Sequence, residues 1–110
     1  IFIIAEIGSV HDGSFGNALK LIELAAKCGA DCVKFQTHIA DAETLLDAPM
    51  PSFFKGEPRY KYFERTGFSL EQWKELKTEC KEQEISTNNC AWSACKDGRQ
   101  YIFYNIICIR

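Results

Sequence analysis

Ile1-Phe2-Ile3-Ile4-Ala5-Glu6-Ile7 and Asp31-Cys32-Val33-Lys34-Phe35-Gln36-Thr37 decide the fold. The first run is apolar and rich in β-branched residues, and it stops at Gly8. Such a run reads as a strand buried on both faces of a parallel sheet. Gly8-Ser9-Val10-His11-Asp12-Gly13-Ser14 is loop chemistry, with side chains that bond their own backbone. Between loop and second run, Ala18, Leu21, Leu24, Ala25 and Cys28 recur at helical spacing, and Gly29 supplies the stop. Strand, helix and strand in this order make a βαβ unit with a right-handed crossover, so the chain is α/β.

Alternate residues of a strand share a face. Phe2, Ile4 and Glu6 therefore point one way, and so do Cys32, Lys34 and Gln36. Each strand places polar groups near its C-terminal end, where parallel α/β folds build their sites. A buried charge is costly unless paired or functional. Glu6, Lys34 and Gln36 are thus either a convergent polar cluster or a structural Glu6–Lys34 ion pair capping the sheet.

Composition narrows the function classes. The chain has 110 residues, 46% hydrophobic and 25% charged, as expected of one globular domain. A net charge of -2 argues against nucleic-acid binding, which needs a basic stripe. No apolar run nears the roughly 18 residues of a membrane-spanning helix, and the N-terminus does not resemble a signal peptide. The six cysteines read as reduced cytoplasmic thiols, with Cys28 and Cys32 as small buried hydrophobes.

Residues 38–68 hold all three prolines and five aromatics between Phe53 and Phe63. They read as a long functional loop with one helical turn at 42–46. Ser69, with Gln72 three residues on, opens a second helix through a capping box. Leu70, Trp73, Leu76 and Cys80 form its apolar face. After Ile85 neither the strand nor the helix expected of a continuing βαβα pattern is convincing. Tyr101 to Ile109 reads as an edge strand or an out-of-frame tail.

Ile4-Ala5-Glu6-Ile7-Gly8, His11-Asp12-Gly13 and Gly29-Ala30-Asp31-Cys32-Val33-Lys34-Phe35-Gln36-Thr37 together resemble the N-terminal part of the sialic acid synthase family. Phe54-Lys-Gly-Glu-Pro-Arg-Tyr60 and Phe68-Ser-Leu-Glu-Gln-Trp-Lys-Glu-Leu76 are similar to that family as well. The resemblance implies the N-terminal portion of a (β/α)8 barrel, incomplete in this chain, with 1–85 as the partial barrel. It implies condensation of phosphoenolpyruvate with an N-acetylated hexose, such as N-acetylmannosamine, with loss of phosphate. It also implies a divalent metal, Mn²⁺ or Mg²⁺, and a cytoplasmic homodimer without membrane or nucleic-acid partners. Glu6 matches a glutamate that meets the sugar, Lys34 a lysine facing phosphoenolpyruvate, and Gln36 an amide that bonds the sugar. His11, Arg59 and Tyr60 are further expected substrate contacts. Lys55, Arg59 and Lys61 read equally as a solvated basic stretch.

The family's metal-binding histidines lie on later strands, and neither His11 nor His38 matches them. Both read as loop histidines with solvent or backbone partners. The family has Asn where this chain has Val10, and residues 86–110 depart from its pattern as a divergent tail or a frameshifted product. Two other readings stand beside the synthase. One is a catalytically inactive fragment, in which the 110-residue chain does not turn over alone. The other is a small metal or redox module built on Cys90 and Cys95.

Overall fold

The computed structural model describes residues 1–50, 52, 56–91 and 104–107, with 87–91 and 104–107 as backbone. Strand β1 (Ile4–Gly8) leads into helix α1 (Phe15–Lys27) and returns as β2 (Cys32–Thr37). Helices α2 (Ala40–Glu43), α3 (Arg59–Thr66) and α4 (Leu70–Glu82) precede β3 (Ser86–Ala91) and β4 (Tyr104–Ile107). The sheet order is β1-β2-β3-β4, parallel from β1 to β3. Strand β4 pairs antiparallel with β3.

Helices α1 and α4 pack on one side of the sheet. Ile7, Val33, Phe35 and Ile85 meet Ala18, Ile22, Ala25, Leu76 and Cys80 there, and this cluster is the core. Ser14 starts α1 by accepting from the Asn17 amide, and Cys28 caps its end. Ser69 and Gln72 form the expected capping box of α4: Ser69 Oγ accepts from the Gln72 amide, and Gln72 Oε1 accepts from the Ser69 amide. Trp73 is half-buried against the core, edge-on to Phe35 and Phe68.

Several expectations are corrected. Strand β1 is not buried on both faces: Ile7 is buried against the helices, but Ile4 is 49% exposed, and Phe2 and Ile3 just before the strand are 59% and 53% exposed. Cys28 is exposed at the helix cap, while Cys32 is buried. The long loop contains α3, which follows Pro58 and buries only Phe63 and Thr66. So narrow an apolar stripe leaves little periodicity to read. A strand does follow Ile85: β3 pairs with β2 from Cys32↔Ser86 to Thr37↔Ala91. Ladder bonds come from backbone groups, so a polar sequence such as Ser86-Thr-Asn-Asn can supply them.

Candidate functional site

The open face of the sheet holds the site. Glu6 and Lys34 are register partners on β1 and β2, and Lys34 Nζ donates to Glu6 Oε2 at 2.5 Å. Lys34 is half-buried and Glu6 is more exposed, so the carboxylate keeps surface available to a second partner. Gln36, two residues beyond Lys34, shares its face and is exposed. The register shifts between Glu6 and Gly8, where Gly8 adopts φ +53°. A Cβ built on Gly8 would stand 3.4 Å from Gln36 Oε1 and 3.6 Å from Glu6 Oε1. Both are ordinary contacts, so it is the left-handed backbone that favours glycine here. Glu6, Lys34 and Gln36 are brought together at the C-terminal ends of adjacent parallel strands. The cluster offers one cation, one accessible carboxylate and one amide within a small area. Such a set can hold an anionic group beside a hydroxylated one.

The remaining candidate residues, His11, Arg59 and Tyr60, have other partners. His11 is wholly buried, its ring 4.5 Å from Phe68 and 6.1 Å from Phe35. Its Nδ1 accepts from the Gly13 amide, and its Nε2 is buried without a partner among the described residues. Burial, reinforced by His38 and opposed by Asp12, pushes its pKa below the ordinary value. His11 therefore sits among core rings rather than beside Glu6. The Tyr60 hydroxyl donates to Asp41 Oδ1 at 2.6 Å, which raises the phenol's pKa. The Arg59 guanidinium lies 5.5 Å from the centre of the Phe63 ring. Arg59 Nε, too, is buried without a hydrogen-bond partner among the described residues.

His38 departs from its expected solvent or backbone partner. Its Nε2 lies 2.9 Å from Ser9 Oγ and its Nδ1 3.0 Å from Glu43 Oε2. The ring stacks on Phe63 at 4.3 Å. Ser9 and Glu43 were not legible as partners, because only folding brings β1's end beside α2. Arg65 ties α3 to the first loop. Its Nη1 donates to the backbone oxygen and Oδ1 of Asp12, while Nε and Nη2 grip Glu57. Val10 is exposed.

The sequence pattern described as the NeuB family matches residues 21–96. The chain belongs to the NeuB family. It is 38% identical over 85 residues to N-acetylneuraminate-9-phosphate synthase of Mus musculus, covering 74% of this chain and 24% of that one. It is 51% identical over 56 residues to pseudaminic acid synthase of Campylobacter jejuni, covering 51% of this chain and 16% of the relative. The chain thus spans about a quarter or less of these relatives. The crystal structure of the sialic acid synthetase of Leptospira borgpetersenii superposes with a TM-score of 0.64. That match, at 23% identity, covers 84% of this chain and 30% of the other, and it shows the fold. The α/β expectation holds, and the parallel strands are part of the family's TIM barrel.

A divalent metal is implied for this NeuB-family chain, but the described residues do not fit one. No group of three His, Cys, Asp or Glu among them is arranged to hold a metal ion. His38 has both ring nitrogens within hydrogen-bond distance of side-chain oxygens, and His11 Nδ1 accepts from a backbone amide. Cys95 and the side chain of Cys90, the basis of the metal or redox reading, lie outside the described residues. No helix among the described residues is long and apolar enough to cross a membrane.

Proposed function

We propose that this chain supplies the first part of a site that condenses phosphoenolpyruvate with an N-acetylated hexose, such as N-acetylmannosamine, to a nonulosonic acid. Phosphoenolpyruvate C3 attacks the sugar aldehyde, water adds at C2, and the C–O bond to phosphate breaks. The observation that carries this reading is the Glu6–Lys34 pair beside Gln36, at the C-terminal ends of β1 and β2. Lys34 would face the phosphoenolpyruvate carboxylate, where a cation stabilises negative charge. Glu6 would accept from a sugar hydroxyl and orient the aldehyde, while Gln36 would bond the sugar. Of the outer candidates, Arg59 and Tyr60 would act from α3, and His11 would support the loop from beneath. The names of the two relatives point to the nonulosonic acid class rather than to one sugar. The reading also carries a cytoplasmic homodimer, and free thiols at Cys28, Cys32 and Cys80 suit a reducing compartment.

Loss of one preorganised electrostatic donor costs about 10²–10³ in rate. Glu6, Lys34 and Gln36 alone therefore support binding better than turnover. Calorimetric titration of the 110-residue chain with phosphoenolpyruvate tests the reading. Weak binding that Lys34→Met abolishes is expected, and binding indifferent to Lys34 contradicts it. In a phosphate-release assay with phosphoenolpyruvate, N-acetylmannosamine and Mn²⁺, the chain alone should match the blank. Release that Glu6→Ala abolishes would overturn the inactive-fragment expectation.

A further inference from the structure

Ser9, His38 and Glu43 form a second constellation of side chains. Ser9 Oγ and His38 Nε2 are 2.9 Å apart, and His38 Nδ1 and Glu43 Oε2 are 3.0 Å apart. A carboxylate can only accept, so Glu43 takes its bond from Nδ1–H. In the tautomer that carries this proton on Nδ1 alone, Nε2 presents its lone pair to the Ser9 hydroxyl, which donates. That is the polarity a base needs to activate a hydroxyl, with a third group orienting the base.

Three features hold the arrangement. The Ile39 amide donates to Glu43 Oε1 at 2.6 Å, which fixes the carboxylate. Phe63 stacks on the imidazole with an interplanar angle of 15°, which fixes the ring. The His38 and Glu43 side chains are only 9% and 13% exposed, whereas Ser9 is partly exposed. Ser9 also directly follows Gly8, at the tight left-handed turn where β1 ends.

We propose that Ser9 is an activated nucleophile toward small carboxylic esters, with His38 as its base and Glu43 holding the imidazole. Ser9 Oγ attacks the ester carbonyl carbon while its proton passes to His38 Nε2. The bond to the alcohol oxygen breaks, and that oxygen leaves with the proton from Nε2. Water, deprotonated by His38, then cleaves the acyl–Ser9 ester, so one ester and one water give one acid and one alcohol. This site does not rest on the synthase reading, and phosphate release does not report on it.

The test treats the 110-residue chain with a fluorophosphonate and locates the adduct by intact mass and peptide mapping. One adduct on Ser9 is expected in the native chain, and none after unfolding in urea. His38→Gln should slow labelling about 100-fold, with Glu43→Gln intermediate, and p-nitrophenyl acetate should acetylate the same residue. No adduct on the native chain overturns the proposal, as does an adduct elsewhere. Equal labelling of the folded His38→Gln chain also overturns it, since the hydroxyl would then owe nothing to the imidazole.

Discussion

Gly13→Ala should be among the most damaging small substitutions in this chain. Gly13 has φ +80°, and a Cβ there would meet the Arg65 backbone oxygen at 2.4 Å. Ordinary contact begins near 3.4 Å, so α3 must retreat by about 1 Å. The left-handed backbone costs about 1–2 kcal/mol for any residue with a Cβ. Overpacking against a backbone atom that cannot rotate away adds about 1–3 kcal/mol. The retreat also pulls Arg65 from Asp12, loosening the tie between α3 and the first loop. The expected loss is about 2–5 kcal/mol. Two other glycines calibrate it. Gly29 shares φ +80° but has nothing within 4 Å, so Gly29→Ala should cost the strain alone. Gly16 lies in α1 with open space around it, and Gly16→Ala should be neutral or stabilising by up to about 1 kcal/mol. Urea denaturation of the three variants, at constant m-value, gives the ladder. Gly13→Ala no worse than Gly29→Ala would refute the argued contact between α3 and the first loop.

Ser69→Ala removes the acceptor of the α4 capping box and should cost about 1 kcal/mol by the same urea assay; no change would mean that water replaces the cap. Because burial lowers the His11 pKa below 6.5, the folded state favours the neutral ring. Stability from this group is complete above pH 6.5 and is lost as pH falls below it, so His11→Gln should flatten that fall in thermal melts. Burial pushes the Cys80 thiol up to about 12, whereas Cys28 is exposed. A thiol reagent at pH 8 should therefore modify Cys28 promptly and Cys80 only on unfolding, and equal rates would contradict the burial of α4.

Side-chain alternation was enough to put Glu6, Lys34 and Gln36 on one face, because strand parity needs no tertiary information. Their pairing matches both readings drawn from the sequence, since an ion pair capping the sheet and a substrate cluster share this geometry. Other features depend on contacts across the fold. His38 looks like an ordinary loop residue until α2 brings Glu43 beneath it and β1 brings Ser9 alongside. His11 follows glycine-rich loop signals, yet Phe68 and Phe35 enclose it, and Phe68 lies far along the chain. Helix α3 buries too few residues to show a period, and β3 is polar because its place comes from backbone pairing with β2. The exposed face of β1 was unreadable for a similar reason: an apolar run does not say which of its faces a helix will cover.

The most direct test of the proposed substrate site is an amide NMR titration of the ¹⁵N-labelled 110-residue chain with phosphoenolpyruvate. Shifts concentrated at Glu6, Ile7, Gly8, Lys34 and Gln36 are expected, and they should be lost in Lys34→Met. Shifts confined to α1 and α4, or a pattern unchanged by Lys34→Met, would show that phosphoenolpyruvate does not bind at the ends of β1 and β2.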